Sequence, residues 1–180
     1  MVYVLLGNGF EELETIAPVD ILRRGGVDVK IAGIGGMSAV GCNGITVAAD
    51  MAVEDVAMAA GDMLVLPGGL GDMKEIEGSE TAMKLVRQAA ADESMWLSAI
   101  CASPTIFGRA GILQGKKAVC YPGLEGKLTG AEPQMDQHFV VDGKLITGRA
   151  PGAAVPFGFA LLTALKGEQV ADQVRAEMYV

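Results

Sequence analysis

The feature that most narrows the fold is an alternation of periods along the chain. Short aliphatic and β-branched runs, each too brief for a helix, alternate with longer stretches whose apolar residues recur at helical spacing. The economical solution is a largely parallel sheet with helices crossing back over its faces. The strands read as Val2–Leu6, Val27–Gly33, Met63–Leu66, Met95–Ile100, Lys117–Cys120, Phe139–Val141 and Leu145–Thr147. The helices read as Glu12–Arg24, Ser79–Asp92, Pro104–Ala110, Ala153–Leu165 and Glu168–Val174, with a further piece near Val53–Ala59. Asp142-Gly143 in "VVDGKLI" sits between two apolar runs and makes that last strand pair an antiparallel hairpin. No repeat, low-complexity stretch or linker breaks the pattern, so residues 1–180 are expected to form one domain.

Composition excludes several functions. Apolar residues make up 51% of the chain, yet no run approaches the roughly 20 residues that a membrane-spanning helix needs. "MVYVLLGNGFEE" has neither a basic start nor a small-residue cleavage site, so a cytoplasmic location is expected. Cys42, Cys101 and Cys120 are too few for a disulfide framework, and with His138 as the one histidine they make no zinc motif. No metal is expected. A net charge of −8, without a basic cluster longer than a pair, argues against nucleic acid as a specific partner.

In sheets of this kind ligands bind outside the carboxyl ends of the strands. Three turns read as strand ends: "GNGFEELE", "PGGLGD" and "CASP". Cys101 has two readings. Ala99 and Ser103 supply the small flanks of a nucleophile elbow, and Pro104 suits the first turn of a helix whose amino end would favour a thiolate. Against this, free cysteine is among the most often buried residue types. Gly68 and Gly69 end a strand with two residues lacking Cβ, where N–H groups can approach an oxyanion; tight turns use such pairs as well.

Glu11, Glu12 and Glu14 open the first helix, where acids ordinarily complement the dipole. Leu13, Ala17, Asp20 and Arg24 follow one stripe, and Glu14 next to Leu13 is read as facing inward. A carboxyl beside a thiolate would share one proton with it, raising the titration of Glu14 and keeping Cys101 ionised. A dinucleotide site fits poorly, because Glu12 stands where the third fingerprint glycine belongs.

With Glu14, Gly68-Gly69 and Cys101 in place, the chain resembles the ThiJ/PfpI superfamily, and more closely its DJ-one branch. The likeness rests on "GFEELETIAPVDILRRGG", "VLPGG", "AICASPT" and "LITGRAPGAA", in order and in register. The resemblance implies a flavodoxin-like three-layer α/β sandwich with a mostly parallel sheet, like class I glutamine amidotransferases, and usually a homodimer. It makes Cys101 the nucleophile, Glu14 its protonated partner and general acid/base, Gly68 and Gly69 the glycines whose amides face the sulfur, and Ala102 the backbone amide at the elbow. It implies a cofactor-free glyoxalase or deglycase acting on small aldehydes or their glycation adducts. The alternatives are a redox sensor or chaperone-like protein in which Cys101 is oxidised without turnover. An older label of thiazole monophosphate synthesis finds no support in these residues.

Two departures matter. Ala102 follows Cys101 where peptidase-like members carry histidine, which argues against a Cys-His protease. Tyr121 precedes Pro122 where the branch has a histidine, and tyrosine is a poor base near neutral pH. His138 reads as a surface residue, and Cys42 and Cys120 as packing residues, with resolution of an oxidised Cys101 the alternative for Cys120. Arg149 reads first as the partner of a local acid, and it and Tyr121 stand as further candidate site residues.

Overall fold

The computed structural model describes residues 1–180. Its strands are β1 (Val2–Leu6), β2 (Val29–Gly33), β3 (Ser38–Val40), β4 (Thr46–Ala48), β5 (Met51–Ala52), β6 (Met63–Leu66), β7 (Trp96–Ile100), β8 (Lys117–Ala118), β9 (Glu132–Pro133), β10 (Phe139–Asp142) and β11 (Leu145–Gly148). The α-helices are α1 (Glu12–Arg24), α2 (Leu70–Gly78), α3 (Glu80–Ala91), α4 (Pro104–Arg109), α5 (Ala154–Lys166) and α6 (Glu168–Met178).

Seven strands form the central sheet in the order β10-β11-β7-β6-β1-β2-β5. Every pairing in it is parallel except the β10–β11 hairpin that Asp142-Gly143 predicts. Period-two alternation sends Val2, Val4 and Leu6 into one core and Tyr3 and Leu5 into the other; Met63 and Val65 likewise oppose Leu64 and Leu66. The first core packs under α1, α5 and α6, and the second under α3 and α4. The result is a three-layer α/β sandwich of the flavodoxin-like kind. No helix is long and apolar enough to cross a membrane.

Several expectations need correction. β2 begins at Val29, two residues later than read, because the α1 C-cap turn extends through Val27, whose N–H donates to the Leu22 carbonyl. The strand expected over Lys117–Cys120 shrinks to β8, which pairs in parallel with β9 outside the central sheet. Val119 instead donates its N–H to the Thr147 hydroxyl at 3.0 Å. The piece near Val53–Ala59 is a single 3₁₀ turn over Val53–Asp55. α2 was hidden in "PGGLGD": it starts from Gly69 with no side-chain cap, so the usual polar start signal is missing. The antiparallel pair β3–β4 and the strands β5 and β9 are also too short to show a period.

Candidate active site

β7, β6 and β1 are neighbours at the centre of the sheet, so the three turns that follow them converge. The turns are also tied together. The Glu11 N–H donates to the Gly68 carbonyl at 2.9 Å, and the Ser103 hydroxyl donates to the Pro67 carbonyl. Ser103 is thus a latch between the elbow and the glycine turn as well as a small flank.

Glu14 comes inward on α1. Glu11 is the N-cap, its carboxylate accepting from the Glu14 N–H at 2.9 Å. The buried stripe runs through Glu14, Pro18 and Ile21, whereas Leu13 is 58% exposed. Glu14 therefore faces the core for the opposite reason to the one read from sequence: the Leu13 stripe is the outer one. Its carboxyl is wholly buried, and neither oxygen has a hydrogen-bond partner of full quality. Burial pushes it up to about 8, with the Cys101 thiol and the Gly68 N–H the polar groups that temper the rise.

Cys101 occupies the elbow. Its φ of 66° is a left-handed conformation rare for a side-chain-bearing residue, and it holds the thiol against both Glu14 and a surface cleft. The Cys101 N–H donates to the Gly148 carbonyl at 3.0 Å and its carbonyl accepts from the Tyr121 N–H at 2.7 Å, which fixes the turn between two loops. The surroundings of the thiol act on it in both directions. The residue is only 8% exposed and α4 is short, so burial first, and then the neighbouring Glu14 carboxylate, pushes the thiol up. The backbone N–H groups of Ala102 and Gly69 act in the opposite sense. The two groups titrate as a pair: the first proton leaves near 8, and the charge so formed holds back the second.

The two glycines divide their work differently from the expectation. Gly69, at φ 101°, places its amide at the sulfur, while the Gly68 amide bears on the Glu14 carboxyl. A Cβ on Gly68 would lie 2.6 Å from the Cys101 Cβ and collide with a Glu14 oxygen, so glycine is what lets acid and thiol meet.

The sulfur opens into a cleft of about 420 Å³ whose walls include Glu11, Leu70, Tyr121, Leu124 and Pro151. Tyr121, singled out from sequence, is there and 46% exposed; Glu11, Leu70, Leu124 and Pro151 were missed as lining. A larger cavity of about 460 Å³ lies by the amino end of β7 and is lined by no cysteine, serine or histidine. Arg149 forms no ion pair, against expectation. It follows β11 between register neighbours, His138 and Cys101, that carry no carboxylate. His138 is exposed, as read.

Cys120 is buried, and burial, with Glu125 adding to it, pushes its thiol up to about 11. Cys42 is exposed rather than packed, and lies with Glu11 and Glu12 in a cluster whose donor atoms are within 4.8 Å of one another. Both Glu12 oxygens are already engaged, by the Asn43 N–H and side-chain amide at 2.8 Å each. Those bonds outweigh burial and hold Glu12 down at about 2, so the cluster is an anchor for the loop after β3.

A parallel sandwich with a cysteine elbow and a buried acid behind it defines a thiol-based α/β site of a recognisable kind. The family model of the DJ-1/PfpI family matches residues 1–164, and the chain belongs to that family. It is 35% identical over 179 residues to Protein dj-1beta of Drosophila melanogaster, covering 98% of this chain and 95% of that one. The crystal structure of Drosophila melanogaster DJ-1beta superimposes with a TM-score of 0.93, at 32% identity, over 99% of this chain and 97% of that one. Protein DJ-1 homolog B of Arabidopsis thaliana is 33% identical over 174 residues, and this chain spans 96% of itself but only 40% of that longer protein. A Pyrococcus abyssi protein named a deglycase is 32% identical over 152 residues, 84% of this chain and 90% of that one.

Proposed function

We propose that this protein is a cysteine-dependent, cofactor-free enzyme acting on reactive α-oxoaldehydes or their early glycation adducts, and so protective under carbonyl and oxidative stress. The observation that carries the reading is a buried carboxyl without a full hydrogen-bond partner, set against a thiol on a strained elbow that opens into a cleft. The Gly69 and Ala102 amides lower the cost of charge on sulfur, so that the thiol proton can pass to the Glu14 carboxylate as the sulfur attacks.

The thiolate adds to the aldehyde carbon, and the developing oxyanion is drawn to the Gly69 and Ala102 amides. Glu14 then moves the proton from the former aldehyde carbon to the neighbouring carbonyl carbon. Water attacks the resulting thioester and releases the α-hydroxy acid with the thiol restored. The net reaction adds one water to the α-oxoaldehyde, and no external oxidant or reductant takes part. The relative named a deglycase supports the carbonyl chemistry at the level of the family.

A second reading is favoured by one observation: Tyr121 lines the cleft and the sole histidine is elsewhere, which leaves the site with carboxyl groups, Glu14 and Glu11, and no imidazole to move protons near neutral pH. Under it, peroxide oxidises Cys101 and a partner reads the change. The test is lactate formation from methylglyoxal without glutathione, in the parent, Cys101→Ser and Glu14→Gln. Turnover in the parent and loss in both variants supports the enzyme. An inactive parent whose Cys101 still reacts with peroxide supports the sensor.

We also propose that residues 1–180 act as one unit and pair as a homodimer through α1 and the β3–β4 pair. Leu13, Ile16, Met37, Val40 and Ile45 leave exposed apolar surface there.

A further inference from the structure

The cleft over Cys101 carries information about the substrate that the thiol–acid pair does not. Its volume is about 420 Å³. The five non-hydrogen atoms of methylglyoxal, each taking no more than a water's share of about 30 Å³, fill at most about a third of it. Its lining contains no lysine or arginine, and its one charge is the Glu11 carboxylate. Most of the remaining wall is apolar. Leu70 stands at the first position of α2, immediately after the Gly69 whose amide faces the sulfur, and is 64% exposed. Leu124 and Pro151 complete that side.

From this we infer that the preferred substrate is an uncharged α-oxoaldehyde whose second carbon carries an apolar group larger than methyl, such as an aryl ring, and that Leu70 and Glu11 set the specificity. This rests on the proposed enzymatic reading. The apolar group lies against Leu70 and Leu124 while the aldehyde reaches the sulfur, so its burial contributes binding that methylglyoxal lacks. Glu11 repels a substrate bearing a carboxylate or phosphate, and no basic side chain on the wall offsets the repulsion. The chemistry is unchanged: one α-oxoaldehyde and one water give one α-hydroxy acid.

The experiment compares kcat/KM for methylglyoxal, phenylglyoxal and 4-carboxyphenylglyoxal at equal free-aldehyde concentration, in the parent, Leu70→Ala and Glu11→Gln. In the parent, phenylglyoxal exceeds methylglyoxal by about tenfold or more, chiefly through KM, and 4-carboxyphenylglyoxal falls about tenfold below phenylglyoxal. Leu70→Ala, at an exposed position that folding does not depend on, narrows the phenyl-to-methyl ratio. Glu11→Gln narrows the gap between the neutral and the carboxylated ring.

Equal or better turnover of methylglyoxal overturns the inference, as does a carboxylated ring handled as well as the neutral one. A phenyl-to-methyl ratio left intact by Leu70→Ala also overturns it, since the preference would then be one of intrinsic reactivity. Absence of turnover on all three, with Cys101 intact, removes the enzymatic reading itself.

Discussion

Replacing Glu14 by glutamine should change how stability depends on pH more than it changes stability itself. The carboxyl is wholly buried and titrates near 8 in the folded protein, against an ordinary value of 4.5. A raised folded value means that the native state holds a proton which the unfolded state has already lost. The resulting stabilisation is fully present below pH 4.5, declines by about 1.4 kcal/mol per pH unit, and is gone once pH passes 8. Across the interval it amounts to at most about 5 kcal/mol. Glutamine keeps the shape and has no proton to lose, so the variant should lack that decline. Urea unfolding at pH 5, 6, 7 and 8 reads the difference directly. The parent-minus-variant curve should slope downward from about 4.5 to 8 and then flatten. Cys101→Ser should preserve the slope, because burial rather than the thiol is the main cause of the shift. Parallel curves for the parent and Glu14→Gln would refute the claim that this carboxyl is held protonated inside the fold.

Three further outcomes follow from particular contacts. Gly68→Ala places a Cβ 2.6 Å from the Cys101 Cβ and into the Glu14 carboxyl, and should destabilise the protein by about 1–3 kcal/mol while abolishing turnover; thermal unfolding and the lactate assay check it. Glu12, held near 2 by Asn43, stabilises the fold above pH 4.5, and that contribution is lost as pH falls towards 2; Glu12→Gln should flatten the acid limb of the unfolding curve. Asp72 is fully buried, accepts from the Gly7 N–H at 2.5 Å with one oxygen and has no partner for the other, and burial pushes it well above the carboxylate range. Asp72→Asn should therefore gain stability relative to the parent as pH rises above the ordinary aspartate value, read by urea unfolding at pH 5 and 8.

The layered fold and its central strands were legible in the sequence because both depend on periodicity, a local property. The short unbroken apolar runs Val2–Leu6 and Met63–Leu66 announce strands buried on both faces, and Asp142-Gly143 announces the hairpin. The elbow at Cys101 and the glycine pair were legible because each sits in a short motif at a strand end, whereas the inward position of Glu14 was read from the Leu13 stripe, which packing turns outward. Pairing order, and therefore the meeting of three turns separated by dozens of residues, was decided only by the tertiary structure.

What tertiary structure alone decided is mostly electrostatic. The amino acids at positions 14 and 101 say that a proton can be shared; only burial says that the pair holds its protons up to about pH 8 instead of ionising early. The exposure of Leu13, the division of labour between Gly68 and Gly69, and the cleft wall at Leu70 and Glu11 arise from how helices seat on the sheet. Sequence sets which groups are available and their local conformation, whereas desolvation and approach depend on the neighbours that packing brings from far along the chain.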